Sequence, residues 1–440
     1  MAGALTRGKH CSWGRVCATA QEIRSIYWPG QLAAACKDSE RMLARGYGRS
    51  YGDSCLLGDG TVLDLTRLDR FLHFDTESGI LRIEGGVSLA QILEVIVPRG
   101  WFLPVTPGTK HVSVGGAIAN DVHGKNHHVR GSFGCHVTAL LLHRKEQGAV
   151  QCSTQENTEL FNATIGGLGL TGTILWAELK LMRIPGPAIR QHAITFRGIS
   201  EFLQISGELD RNTEYTVAWL DALSDEQRGI FFLGDHEGET APSGQLRAKR
   251  RTVTVPVDLP GFVLNRYTVR AFNAAYYRAN SRQGDRLVGY DSFFYPLDSV
   301  ANWNRIYGRK GFFQYQCVVP SAEAEDVLSE ILKSAARSHA SSFLSVIKVF
   351  GDRSSPGLLS FPRPGVTLAL DFQNRGRETR EMLDLFDQWV VAAGGAVYPA
   401  KDARMSAASF QQYFPRWKAF KQWIDPHYTS DFWERVSMAG

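Results

Sequence analysis

Residues 107–136 read PGTKHVSVGGAIANDVHGKNHHVRGSFGCH, and how that stretch is read decides the fold. It holds six glycines, five histidines and two lysines around a short apolar run, Val114 to Ala119. Glycine weakens regular structure and is kept where backbone must approach another group closely or take a positive φ. The pattern therefore predicts a loop wrapped around a cofactor rather than an ordinary helix or strand. Backbone N–H groups freed by Gly115, Gly116, Gly124 and Gly131 would face an anion or a ring system, with His123 and Lys125 beside the reacting centre. A solvated glycine-rich surface loop is the plainer alternative, and the stretch alone does not exclude it.

Two more glycine clusters flank it. Upstream, Ala44–Ser54 reads ARGYGRSYGDS, with Arg45 and Arg49 set among Gly46, Gly48 and Gly52. A glycine turn with two arginines offers what a pyrophosphate needs, close backbone donors and fixed positive charge. The GxGxxG pattern is absent from this turn and no clear βαβ unit surrounds it, which disfavours a doubly wound dinucleotide fold. Downstream, Gly166 to Gly172 reads GGLGLTG. Three such turns, each beside a strand, suggest one extended cofactor lying across an α+β domain.

The elements between them follow from periodicity. Thr61–Leu65, Ile80–Glu84, Val137–His143 and Thr173–Leu181 read as strands. Ser88 should cap a helix whose Leu89, Ile92, Leu93, Ile96 and Val97 share a face, and Glu159–Ala163 reads as a short helix. Past Pro185 the character changes. Strand-like runs at Tyr215–Leu220, Ile230–Leu233, Phe312–Val319, Phe343–Phe350 and Val366–Phe372 are joined by two amphipathic helices, around Val327–Ala335 and Met382–Val390. That combination predicts an antiparallel sheet with helices on one face. Residues 236–262 read as a loop, polar, then basic at Arg247, Lys249, Arg250 and Arg251, then apolar with prolines. It is either a lid that touches a phospholipid surface or a solvated loop.

Composition narrows the class. A chain of 440 residues, 44% hydrophobic and 21% charged, can bury a large core over two or three domains. A net charge of +5 is too mild to argue for nucleic acid but suits phosphate-bearing ligands or an anionic surface. Seven irregularly placed cysteines without a CxxC pair indicate neither a disulfide framework nor a metal site. No apolar leader is visible and no run approaches the ~18 residues of a spanning helix. The expectation is a cytoplasmic protein, soluble or peripheral at the inner membrane face.

The ARGYGRSYGD turn, the 107–136 stretch and the GGLGLTG cluster together resemble the vanillyl-alcohol-oxidase-type FAD-binding family. The nearest likeness is to its branch that oxidises the 2′-hydroxyl of polyprenylphosphoryl-β-D-ribose, in making an arabinose donor for the cell envelope. The likeness continues through YPLDSVANWNRIYGRKGFFQYQCVVP (295–320), SVIKVFG (345–351), SFPRPGVTLALDF (360–372), YPAKDAR (398–404) and DPHYTSD (425–431). It implies two domains: an FAD domain from residues 1–188 and the returning tail 394–440, with a substrate domain, 189–393, on an antiparallel sheet.

By the same resemblance, FAD contacts fall on Ala44, Arg45, Gly46, Tyr47, Gly48, Arg49, Ser50, Tyr51, Gly52, Asp53 and Ser54. They continue on Gly108, Thr109, Ser113, Val114, Gly115 and Gly116, then Asn120, Asp121, Val122, His123, Ile174 and Tyr398. The substrate side falls on His123, Lys125, Tyr295, Gln314, Gln316, Lys348, Phe350, Thr367 and Lys401. Independently, Gln314 and Gln316 are two apart on a strand and share a face, as do Lys348 and Phe350. Some relatives tether the flavin through a histidine where this chain has Arg49, and a guanidinium cannot form that bond, so FAD is expected to be non-covalent. Ala369 stands where the branch often has cysteine, and Thr367 where an amide is expected.

Oxidising a secondary alcohol requires hydride transfer to the flavin and removal of the hydroxyl proton. Lys401 is the first candidate for the proton, because a buried lysine near other cations can act as a base. His123 is the second, and Tyr51 and Tyr295 could support either. Lys125 and Lys348 would bind the sugar phosphate. A separate NADH-dependent short-chain reductase is implied as partner, with peripheral membrane contact and no nucleic acid. A soluble alditol or aldonolactone oxidase of the same family, and a flavin-free carbohydrate- or phospholipid-binding protein, are the competing readings.

Overall fold

The computed structural model of the chain describes residues 5–238, 253–282, 284–338 and 343–437. Its first half holds two larger sheets, beside the short pair Trp101–Phe102 and Met182–Arg183. One has four strands in the order Leu5–Cys11, Ala18–Ser25, Thr61–Asp64, Met42–Arg45, with Thr61–Asp64 parallel to both neighbours. The other is antiparallel, in the order Phe71–Asp75, Ile80–Glu84, Thr173–Lys180, Val137–Arg144, Gly148–Ser153. Ser88 caps the helix Leu89–Ile96: its side chain accepts from the Gln91 amide, and the Gln91 side chain accepts from the Ser88 N–H at 2.8 Å. Leu89, Ile92, Leu93 and Ile96 then face the second sheet, each burial stabilising by about 1.5–3 kcal/mol.

The second half is one antiparallel sheet of eight strands. The order is Arg286–Gly289, Ala188–Arg197, Arg228–Glu237, Tyr215–Leu220, Ser345–Phe350, Gly365–Gln373, Phe312–Val319, Ala396–Val397. Strand alternation splits its residues between two faces. Phe313, Tyr315, Cys317, Leu368, Leu370 and Phe372 enter the largest core, under the helices Gly198–Leu209, Ala324–Arg337 and Arg377–Ala392. The opposite face holds the site, and the helix Arg266–Asn280 packs at one end of it, on Trp219 and Ile230. The molecule is thus α+β, with the large sheet antiparallel, three helices on one face and this one helix on the other.

The tail does two things. Ala396–Val397 extends the edge of the large sheet. Beyond it, a bridge from Met42 to Tyr428 and a 2.8 Å hydroxyl pair between Thr173 and Tyr428 carry the chain back to the first half.

Several local expectations change. The 107–136 stretch is not wholly loop: it contains the short helices Val114–Ala119 and His127–Arg130. Ser113 caps the first, and Gly115 lies so near the Gly85 carbonyl that only a small residue fits without displacement. The strand Ala188–Arg197 and the helices Gly198–Leu209 and Arg266–Asn280 were not legible as elements; in the last only Val269 and Asn273 are fully buried, so no apolar stripe marks it. Of the supposed loop 236–262, the strand Arg228–Glu237 occupies the start, and Val253–Thr254 pairs with Val300–Ala301. Arg15 binds Asp258 at 2.5 Å. Arg247, Lys249, Arg250 and Arg251 lie outside the described residues. Finally, Gly167–Gly172 has the spacing GxGxxG, but leads from the helix Thr158–Thr164 into the strand Thr173–Lys180, the reverse of a dinucleotide turn.

Candidate active site

A cavity of about 750 Å³ lies between the glycine turns and the open face of the large sheet. The first wall is mostly backbone. It comprises Ala44, Arg45, Gly46, Tyr47, Gly48, Arg49, Ser50, Tyr51 and Ser54, with Gly108, Thr109, Ser113, Gly115, Gly116, Asn120, Val122 and Ile174. The N–H groups of Gly46, Tyr47, Gly48, Arg49 and Ser50 donate to nothing among the described residues. Gly48 takes φ +60°, the left-handed backbone that anion-binding nests use. Arg45 Nε and the Ser54 hydroxyl are buried without a partner on the same wall. Buried donors left open in this way fit a pyrophosphate. At Gly108 a side chain would meet nothing within 4 Å, since the space before it is cavity. This wall suits FAD.

The expected freed amides at the 107–136 stretch are a different matter. Gly115 N–H donates to the Gly85 carbonyl at 2.8 Å, Gly116 N–H to the Ser113 hydroxyl at 3.2 Å, and Gly131 N–H to the His127 carbonyl at 3.0 Å. The close approach of Gly85, the Ser113 cap and the end of the helix His127–Arg130 consume these three, while Gly124 lines the cavity beside the bridge from His123 to Ser132. The open donors belong to the 46–50 turn instead.

The second wall is side chain. On the strand Phe312–Val319, Gln314 and Gln316 both point into the cavity, as do Lys348 and Val346 on Ser345–Phe350, and Thr367 and Ala369 on Gly365–Gln373. Register sets Gln316 and Val346 on either side of Ala369, and Lys348 opposite Thr367. Gln316 Nε2 lies 2.9 Å from His123 Nε2 and 3.2 Å from the Thr367 hydroxyl. Lys348 Nζ lies 2.9 Å from His123 Nδ1 and donates to the Gly124 carbonyl at 2.8 Å. His123 is thereby gripped at both ring nitrogens. Burial, Lys348, His127 and Lys401 hold its pKa well below the usual imidazole value, so the ring is neutral.

Three lysines meet this cavity. Burial lowers Lys125 to about 7, with its Nζ on the Phe293 carbonyl and over the Phe293 ring at 4.2 Å. Burial, then Lys125 and Lys401, lower Lys348 to about 7. Lys125 and Lys348 lie within 4 Å of no carboxylate among the described residues. Burial brings Lys401 down to about 8, opposed by the Asp371 carboxylate. Its Nζ sits 3.8 Å over the Tyr51 ring. Lys401 arrives there because Tyr51 N–H donates to the Ala400 carbonyl at 2.9 Å and Tyr398 N–H to the Gln316 carbonyl at 2.9 Å. Tyr398 also lines the cavity, its hydroxyl donating to the Asn120 carbonyl at 2.8 Å.

Some expected residues stand behind the walls rather than in them. Gly52 packs on the Asp402 carbonyl, where a Cβ cannot enter. Asp53 takes the Arg435 guanidinium at 2.7 Å and ties down the tail. Val114 is buried in the core. Asp121 accepts from Gly134 N–H at 2.8 Å and from the Ser355 hydroxyl at 2.5 Å. Tyr295 reaches the cavity only through Thr106, its hydroxyl 2.6 Å from that of Thr106. Phe350 packs behind His123, ring centroids 4.9 Å apart. None of these six residues lines the cavity itself.

Asp371 was missed. It accepts from Gln314 Nε2 at 2.6 Å and from the Tyr307 hydroxyl at 3.3 Å, and burial raises it to about 7. A signal existed: in VTLALDF it is the charged residue at the same alternation as Thr367 and Ala369. Trp13, under the Arg49 guanidinium at 4.1 Å, was missed as well.

Comparison with known proteins adds relatives. A family model described as FAD binding domain matches residues 17–153. The decaprenylphosphoryl-beta-D-ribose oxidase of Mycolicibacterium smegmatis is 33% identical, covering 97% of this chain and 96% of its own length. An uncharacterized protein of Streptomyces coelicolor, from the mprA 5′ region, is 31% identical over 80% of this chain and all of its own. The D-lactate dehydrogenase of Anaerostipes hadrus shares a shorter stretch, 29% identical over 31% of this chain and 29% of its own.

Proposed function

The chain belongs to the decaprenylphosphoryl-β-D-ribose oxidase family of FAD-binding oxidoreductases, and from that premise we propose that it oxidises the 2′-hydroxyl of a polyprenylphosphoryl-β-D-ribose to the 2′-ketone. The observation that carries this reading is the pair of buried lysines without a carboxylate partner, Lys125 and Lys348, in a cavity next to the glycine cradle. Two desolvated ammonium groups that repel each other call for an anion between them, and a sugar phosphate brings one.

FAD bound in the cradle supplies the hydride acceptor. The chain's own residues do the rest. Lys125 and Lys348 hold the phosphate, and Gln314, Gln316 and Thr367 present hydrogen-bonding groups to the ribose hydroxyls. His123, neutral and held at both nitrogens, fixes the ring's position. Lys401, with a pKa near 8, accepts the proton of the 2′-hydroxyl as its carbon loses hydride, leaving the carbonyl. Tyr51 carries the Lys401 ammonium on its ring face and Tyr295 steadies Thr106 from behind. Arg49, stacked on Trp13, offers no nucleophile for a flavin bond, so FAD is held non-covalently. The ketone would pass to a separate nicotinamide-dependent reductase, and a lipid-linked substrate calls for contact with a membrane. Among the described residues no helix is long and apolar enough to cross one.

The test is anaerobic mixing with polyprenylphosphoryl-ribose and with a panel of alditols, following flavin absorbance. Bleaching by the lipid-linked ribose alone is expected. Bleaching by alditols, with none by the ribose, would assign the chain to soluble sugar oxidation. Acid precipitation should leave a colourless protein pellet, and a yellow one would refute non-covalent FAD.

A further inference from the structure

The helix Arg266–Asn280 carries aromatic side chains on its outside. Tyr267 is 75% exposed and Phe272 49%, and in the segment leading to the helix Phe262 is 77% and Val257 61% exposed. Isolated surface hydrophobes need no explanation, but several large ones on one helix and its lead-in do. The helix itself is firmly seated. Asn265 caps it, accepting from the Tyr267 and Thr268 amides, and Asn273 Nδ2 reaches Asp221 at 2.7 Å. Its exposed aromatics are therefore not the slack end of a loose segment.

Charge gives the helix a preferred partner. Arg266–Asn280 contains Arg266, Arg270 and Arg278 and no acidic residue. The other long helices differ: Ala324–Arg337 holds Glu325, Asp326 and Glu330, and Arg377–Ala392 holds Glu378, Glu381, Asp384 and Asp387. Arg270 borders a small cleft with Asp225 and Glu226, but none of the three arginines forms an ion pair among the described residues. Aromatic and cationic groups together, on a helix of 15 residues, suit a position along a lipid surface; a span needs about 20.

The inner side of the same helix belongs to the reaction cavity. Tyr276 lines it and packs on Trp219 with ring centroids 4.8 Å apart. Val217, Trp219, Phe232, Leu344 and Val346 continue that apolar end. Phe272 joins inside and outside, 6.2 Å from Tyr276 and 5.6 Å from Phe343. We propose that the outer face of the helix Arg266–Asn280 and its lead-in at Phe262 dock the protein on the surface of an anionic bilayer, so that the isoprenoid tail of the substrate passes over Tyr276 and Trp219 into the cavity. The passage of the tail rests on the substrate reading above; the docking does not.

The experiment uses the FAD-loaded full chain. Co-sedimentation is measured with vesicles of phosphatidylglycerol and phosphatidylethanolamine, and with vesicles of phosphatidylcholine alone. The variants are Tyr267→Ser, and Phe262→Ser with Tyr267→Ser and Arg266→Glu, each checked for FAD content and melting temperature. The wild type should prefer the anionic vesicles. The triple variant should bind them at least tenfold more weakly and Tyr267→Ser by a few-fold. Turnover of a long-chain substrate embedded in vesicles should fall in parallel, while a water-soluble short-chain analogue is oxidised at the wild-type rate. Unchanged vesicle binding by the triple variant overturns the docking, whatever the substrate proves to be. So does a wild type that dimerises in sedimentation velocity through this face, lost in Tyr267→Ser, without binding vesicles. If vesicle binding behaves as expected but neither lipid-linked ribose is oxidised, the substrate reading fails and the docking stands.

Discussion

The two walls of the cavity are built from different materials. The cofactor wall is backbone: open amides from Gly46 to Ser50, a close approach at Gly115 with another behind the wall at Gly52, and few side chains that matter for shape. The substrate wall is side chain: two glutamines, a threonine and Lys348 project from paired strands, and Lys125 and Lys401 reach in from turns. Damage should differ accordingly. On the first wall an added Cβ should do harm and the loss of most side chains little. On the second the reverse holds.

The largest expected effect is at Lys401. Lys401→Met should keep its FAD and fold, because the 46–50 turn is untouched. Flavin reduction by substrate should fall by roughly 10²-fold or more, the usual scale for losing a general base. Rapid mixing decides it. A wild-type reduction rate with weakened affinity would make Lys401 a binding residue and pass the proton to His123. Loss of FAD would move Lys401 to the cofactor wall and erase the contrast between the two.

Two glycines sharpen the contrast on the other side. Gly52→Ala drives a methyl into the Asp402 carbonyl, so the tail segment that delivers Lys401 must shift. Overpacking of this kind costs about 1–3 kcal/mol, read as a lower melting temperature of the FAD-free protein. Gly108→Ala meets nothing in the protein, so the FAD-free melting temperature should hold while FAD affinity falls roughly tenfold, on the scale of one lost close contact. Equal melting losses in both variants would mean that Gly108 serves the fold rather than the cofactor.

The same division explains what the sequence disclosed. Backbone-built sites announce themselves, because nothing else writes ARGYGRSYGDS or a GG pair after a capping serine. The alternating strand Ile80–Glu84 and the apolar, wholly buried run Tyr215–Leu220 were legible to the residue. The helix Arg266–Asn280 was not, since only Val269 and Asn273 are fully buried and no apolar stripe marks its inner face. The substrate wall was legible only in pieces. That Gln314 and Gln316 share a face follows from a period of two. That Gln316 and Lys348 meet at His123 depends on a strand order, Ser345–Phe350 beside Gly365–Gln373 beside Phe312–Val319, that no local pattern encodes. Asp371 was hidden for the same reason, being significant only once Gln314 lies opposite it.

On the substrate wall, Lys348→Met should weaken substrate binding by roughly tenfold, the value of one charge-assisted hydrogen bond. It should reduce kcat less, since Lys401 remains in place. A similar loss in kcat and none in KM would mean that Lys348 acts through His123, whose Nδ1 it holds.

The smallest effect concerns pH and the carboxylate beneath Lys401. The amine accepts a proton only when neutral, and burial lowers its pKa from 10.5 to about 8, so flavin reduction at saturating substrate should rise with pH and level off above about 8. Lys125 and Lys348 work the other way. They hold phosphate when charged, and in the free protein they lose that charge as pH rises through about 7. The profile of kcat/KM should therefore peak between about 7 and 8, while kcat shows the rising limb alone. Asp371 sets where that limb lies. Its carboxylate, ionised above about 7, favours the charged form of Lys401 and so keeps the limb higher than burial alone would. Asp371→Asn removes that charge and leaves an amide beside Gln314 and Tyr307. The limb should move to lower pH by a fraction of a unit to about one unit, so that at pH 7 the variant reduces flavin a few-fold faster than wild type, if the lysine remains seated over Tyr51. A limb that stays put would show that Asp371 braces Gln314 without reaching Lys401. One that moves upward would mean that the proton is taken by a group other than Lys401, and the substrate wall would need a different base.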